Sequence, residues 1–125
     1  MQKNNSPNLI VNLSFEFALK IVGYATKLEN EKKYIIARQL LRSGTSVGAN
    51  IREAQNAESK QDFIHKMKIA AKEADESEYW LLLCKHSKYS DCTDLINEIN
   101  SIIKILSKII GSSKRSNINK KSIFI

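Results

Sequence analysis

The sequence predicts an all-α domain, an antiparallel up-and-down four-helix bundle. Three observations lead there: apolar residues recur at helical spacing in four stretches, turn formers are scarce, and the connections between stretches are short. One proline and four glycines among 125 residues cannot supply the frequent turns of an all-β chain. The length suits one hydrophobic core rather than two, and 42% apolar residues are enough to fill it. The reading divides the chain into a flexible N-terminal segment (1–12), the bundle (13–111) and a basic, disordered tail (112–125).

The first helix is expected over about 14–28, capped by Asn12 or Ser14. Glu16, Lys20, Gly23 and Lys27 form one narrow polar stripe. Phe15, Phe17, Leu19, Ile21, Val22, Tyr24 and Leu28 cover most of the remaining girth, so this helix needs neighbours on more than one side.

A charged connection, Glu29 to Lys33, leads to a second helix over about 34–57 with a core stripe of Ile36, Leu40, Val47, Ile51 and Ala54. Its middle, Ser43-Gly44-Thr45-Ser46-Val47-Gly48-Ala49-Asn50, consists of weak helix formers and argues locally for a break. The stripe stays in phase across it, which favours continuity. Gly44 and Gly48, one turn apart, then permit close approach by another helix.

The third helix starts at the capping sequence Ser59-Lys60-Gln61-Asp62 and runs to about Lys88. Phe63, Ile64, Met67, Ala70, Ala71, Ala74, Leu81 and Leu82 form its core face. Ile69 and Trp80 share a stripe with Glu73 and Glu76 outside that face, and are the candidate contacts with another subunit. The fourth helix, about 92–110, has the cleanest pattern, from Leu95 and Ile96 to Ile109 and Ile110, and Gly111 marks its expected stop. On these lengths helices two and three reach about 40 Å, beyond what the first and fourth can cover.

The formal charge is +7. Lys114, Arg115, Lys120 and Lys121 lie in the last fourteen residues with no acid among them, so the folded part is only mildly basic. Such an excess suits phosphate neutralisation. Cys84 and Cys92 are too few for a disulfide framework and are read as packed thiols in a reducing compartment. No signal-like start and no run of about 20 apolar residues stands out, so the expectation is a cytoplasmic protein without a membrane span.

Catalytic constellations are missing from the pattern. A di-metal bundle site needs two Glu-x-x-His pairs, whereas His65 and His86 follow Asp62 and Leu83, so neither metal nor cofactor is expected. The arginine-then-histidine spacing of helical ribonucleases is absent, because residues 59–61 and 80–82 contain no arginine. No phosphate loop or His-Glu-x-x-His occurs, and His86 lies on a different helix face from Cys84.

The candidate nucleic-acid contacts are Arg38, Arg42 and Arg52 on the second helix and Lys60, His65, Lys68 and Lys72 on the third. Cationic rows on rigid helices suit backbone phosphates. Against them stand the pairs Asp62–Lys66 and Lys72–Glu76, which read as a solvated face, and the acidic run Glu73, Asp75, Glu76 and Glu78.

The segment Ser43 to Gln55, followed by Phe63-Ile64-His65-Lys66-Met67, Lys72-Glu73-Ala74 and Glu78-Tyr79-Trp80-Leu81, resembles the four-helix bundle proteins encoded by intervening sequences of bacterial 23S ribosomal RNA genes, also called the S23 ribosomal protein family. The resemblance extends over about residues 10–111. Many members carry proline where this chain has Gly48. The resemblance implies a left-turning up-down bundle that assembles into a homopentamer with a basic surface. It also implies kinship with accessory bundle proteins of diversity-generating retroelements, which bind nucleic acid and a reverse transcriptase. Two functions are therefore expected alternatives: a non-enzymatic oligomeric scaffold for nucleic acid, RNA more than DNA, and a module docking a protein partner on helices two and three.

Overall fold

The computed structural model describes the backbone of residues 6–124 and the side chains of residues 9–115. Four helices follow one another: α1 (Ser6–Asn30), α2 (Tyr34–Ala54), α3 (Lys60–His86) and α4 (Thr93–Phe124). Each packs on its chain neighbour and α4 returns to α1, which closes a square in which, among the described residues, the backbones of the diagonal pairs stay apart. The antiparallel sense is visible in the contacts. Gly44 lies against Ile21 and Gly48 against Ser14, so α2 positions rise as their α1 partners fall. Cys92 Sγ faces the Leu81 carbonyl while Lys114 meets Lys68, giving α3 and α4 the same opposed sense.

The core runs the length of the square through Ile10, Phe17, Ile21, Leu28, Leu40, Ile51, Met67, Leu81, Ile99 and Leu106. Burying a large aliphatic side chain contributes about 1.5–3 kcal/mol, so this column is the main source of cohesion. Of the residues expected in the core, Leu82 instead remains 36% exposed. Ile36 is half-buried and Ala37 takes the inward position.

α2 is continuous through its small-residue segment. The hydroxyls that would favour a turn are turned back onto the helix: Thr45 donates to the Leu41 carbonyl at 2.7 Å and Ser46 to the Arg42 carbonyl at 2.7 Å. The missing side chain at Gly44 is occupied by Ile21 of α1, whose Cγ2 would lie 2.8 Å from an added Cβ. Continuity therefore rests on close packing, which local propensity does not register.

Both ends of the chain are more helical than expected. α1 begins at Ser6 and passes through Pro7, because a proline in the first turn surrenders an amide that has no helical acceptor anyway. Ser14 is consequently interior: it is 1% exposed and donates to the Val11 carbonyl at 3.1 Å instead of capping. Residues 1–5 of the expected flexible segment lie outside the described residues. α4 does not stop at Gly111 but continues to Phe124, and Gly111 does not adopt the left-handed conformation of a terminating glycine. α4 is thus the longest helix and α2 the shortest.

Leu9–Asn30 of α1 is long and apolar enough to cross a membrane by length and composition, a test that a bundle's core helix also passes. In the fold, Phe17, Ile21 and Leu28 of this stretch are buried in the bundle core.

Candidate nucleic-acid interface

The seven candidate contacts do not form one surface. On α2, Arg38 lies on the exposed face between Arg42 and Arg52. Arg52 turns toward α1 and lines a shallow 260 Å³ groove with Val11, Phe15, Ala18 and Gly48. Arg42 turns the other way, pairing with Glu73 at 3.2 Å and with Glu76. The acidic run that follows the α3 lysines is thus partly neutralised from α2, and Arg42 is engaged within the bundle. Glu76 goes to Arg42 and Trp80, not to Lys72, while the Asp62–Lys66 pair forms at 3.3 Å.

On α3, His65, Lys68 and Lys72 are exposed. Lys60 follows the N-cap Ser59, whose hydroxyl accepts from the Asp62 amide at 3.0 Å. The Asp62 carboxyl is held below its ordinary range by the Glu58 amide and by Lys66. Lys68 meets Lys114 of α4, which was not among the candidates, and this contact pulls Lys114 below the ordinary lysine range.

The signal that locates this surface is the absence of acid. No Asp or Glu occurs between Glu98 and Ile125, whereas Lys104, Lys108, Lys114, Arg115, Lys120 and Lys121 all do. Lys120 and Lys121 lie outside the described side chains. Near the same end, Arg52, Lys60, Lys66, Lys68 and Lys72 outnumber Glu53, Glu58 and Asp62. Residues 73–98, at the other end of the α3–α4 pair, carry seven acids and two lysines.

Ile69 is half-buried. Trp80 lies over its own helix, donating from Nε1 to Glu76 Oε2 at 2.9 Å. It lines an open 360 Å³ recess with Lys33, Tyr34, Ile35, Ile36 and Tyr89. The more exposed apolar stripe lies on α1, where Phe15, Leu19 and Val22 are 55%, 58% and 47% exposed.

The two thiols are buried. Burial pushes Cys84 up to about 11 and raises Cys92 as well, which opposes a nucleophilic role at neutral pH. Burial likewise raises Tyr24, whose hydroxyl donates to the Ser90 carbonyl at 2.5 Å. Among the described residues no group of three or more His, Cys, Asp or Glu side chains is placed to hold a metal ion.

A square antiparallel bundle with cation-rich helix faces and buried, protonated thiols defines the class: a helical-bundle protein whose surface, not an interior pocket, is its distinctive part. The family model of the 23S rRNA-intervening sequence protein matches residues 7–111, and the chain belongs to that family. A crystal structure of a protein of unknown function from the S23 ribosomal protein family of Bacteroides thetaiotaomicron VPI-5482 superposes with a TM-score of 0.82 at 44% identity, over 86% of this chain and 99% of that one. No curated protein matches the chain. Neither description names an enzymatic activity.

Proposed function

We propose that the protein is a non-enzymatic, oligomeric scaffold that binds nucleic acid, structured RNA ahead of DNA, through the basic end of its bundle in the bacterial cytoplasm. The observation that carries this reading is the segregation of charge along α3 and α4, where lysines outnumber carboxylates at one end. Phosphate backbones are bound by such rigid cationic surfaces with little regard to sequence. The family's link to ribosomal RNA favours RNA. The exposed α1 stripe of Phe15, Leu19 and Val22 supports assembly into the homopentamer that the resemblance implies.

A second reading, docking of a protein partner, draws on the recess around Trp80 and on Ile35, which is 79% exposed. The deciding experiment measures binding of the full chain to structured RNA and to duplex DNA across a salt series, with solution mass recorded in parallel. Binding by an oligomer that weakens steeply with salt is the expected result. No binding at low salt overturns the scaffold reading in favour of the docking module.

A further inference from the structure

Three aromatic side chains line one recess at the end opposite the basic one, where α2 begins and α3 ends. Tyr34, Trp80 and Tyr89 enclose its 360 Å³ together with Lys32 and Lys33. Tyr34 is 48% exposed, while Trp80 and Tyr89 are half-buried. Both of these rings are held in place. Trp80 is fixed by its bond to Glu76 and by the edge of Tyr79, whose ring centroid lies 5.3 Å away. Tyr89 lies beneath the Lys33 ammonium, 4.8 Å from its ring centroid. Rings already ordered lose little freedom when a flat partner stacks on them.

The surroundings of the recess favour an anion beside those rings. No acid lines it, and over residues 27–38 and 85–91 six lysines and arginines stand against three acids. Of these acids Glu31 accepts from the Ser90 hydroxyl at 2.7 Å and Asp91 from the Thr93 hydroxyl at 2.7 Å, which leaves Glu29 exposed in the last turn of α1. On α3, Glu73 and Glu76 are engaged by Arg42. Glu78, two residues before Trp80, is about 200° away around the helix and so on its other side. The start of α2 adds donors. Lys33 at its N-cap provides no side-chain cap and the first turn holds no acid. The Ala37 amide reaches the Lys33 carbonyl at 3.1 Å, so the amides ahead of it have no helical acceptor.

We propose that this recess holds one unpaired nucleotide of a bound RNA strand, its base stacked among Tyr34, Trp80 and Tyr89 and its phosphate at Lys32 and Lys33. The combination of rings and cations selects the occupant. An aliphatic anchor of a protein partner would use the rings and leave the lysines idle, whereas an unpaired nucleotide uses both. That the nucleotide belongs to a strand rests on the scaffold reading. With 21 residues in α2, the recess lies about 30 Å from the basic end, within reach of a single-stranded extension of an RNA held there.

Trp80 is the chain's single tryptophan, so its emission reports the recess directly. An RNA duplex with a single-stranded adenylate overhang, the same duplex blunt-ended, and AMP are titrated separately into the full chain. Anisotropy of a dye on each duplex follows total binding in parallel. The overhang is expected to quench Trp80 saturably and the blunt duplex to leave it unchanged. Tyr34→Ala should weaken the quenching by about tenfold and Tyr34→Phe, which keeps the ring, should retain it. Neither should move blunt-duplex binding by more than about twofold, and circular dichroism checks that both variants fold. Unchanged emission while both duplexes bind overturns the recess and leaves the scaffold reading standing, as does quenching indifferent to Tyr34→Ala. If neither duplex binds, the scaffold reading falls and the strand assignment falls with it. AMP quenching as tightly as the overhang also overturns the strand assignment, in favour of a site for free nucleotide.

Discussion

Adding a methyl group at Gly44 and at Gly23, both inside helices, has opposite expected consequences. At Gly44 the new Cβ meets the branched, fully buried Ile21 at 2.8 Å and 2.9 Å. The overpacking cost of about 1–3 kcal/mol exceeds the gain of about 0.8–1 kcal/mol in helix propensity. At Gly23 nothing lies within 4 Å, so Gly23→Ala keeps most of that gain. Urea denaturation is expected to show Gly44→Ala destabilised by about 1 kcal/mol and Gly23→Ala stabilised by about 0.5–1 kcal/mol. A second residue-scale expectation concerns pH. Hydrogen bonds from Arg42 and then from Trp80 hold the Glu76 carboxyl below the ordinary glutamate range. A depressed carboxylate contributes stability that is complete above its unfolded value, about 4.3, and is lost as pH falls through the folded one. Urea midpoints taken on either side of that range should drop on acidification, and Glu76→Gln should flatten part of the drop while Asp62 and Asp91, shifted in the same direction, retain theirs. The sequence pattern located Trp80 and Glu76 on one stripe, yet it gave no access to Arg42, whose claim on Glu76 comes from another helix. The buried hydroxyls Ser43 and Ser77, 3.0 Å apart at the α2–α3 contact, were equally illegible, because a serine at a core position has no distinctive periodicity.

At the scale of elements, the existence and order of all four helices were legible, since each apolar stripe is long and in phase. The ends were less so. Asn12 or Ser14 reads as a start and Gly111 as a stop, yet the backbone runs in a helix through both places, and through Pro7 as well. The two tight connections carry the reverse lesson. Lys32 and Lys88 adopt φ of 65° and 61°, and the amides that follow them bond back to the Leu28 and Cys84 carbonyls at 2.8 Å and 2.9 Å. This is the helix-ending pattern usually supplied by glycine, so its sequence signal is missing here. The run of α4 through Gly111 can be tested by sign. In a continuing helix Gly111→Ala is expected to stabilise by about 1 kcal/mol, because the added Cβ meets only the flexible Arg115 tip at 3.4 Å. A terminating, left-handed Gly111 would instead be destabilised by the same change, and denaturation midpoints distinguish the two.

Considered whole, the bundle draws its polarity from side chains. The helix macrodipoles oppose one another pairwise in an antiparallel square and largely cancel, whereas the lysines of α3 and α4 accumulate at the end where α1 and α3 begin. The far end is nearer neutral, since Lys20, Lys27, Lys32, Lys33, Arg38 and Arg42 offset much of its acid. Net charge alone hid this arrangement, and it becomes apparent once the fold superimposes residues 52–72 on 104–115. The resemblance located the family and the square of helices; the basic end needed the register of α3 against α4. A body charged in this way has a permanent dipole lying close to its long axis. Near any extended polyanion it therefore experiences a torque as well as an attraction, and it turns to present the same tip before surfaces touch. Rotation would then precede contact, and most collisions would begin with the molecule already pointing the right way.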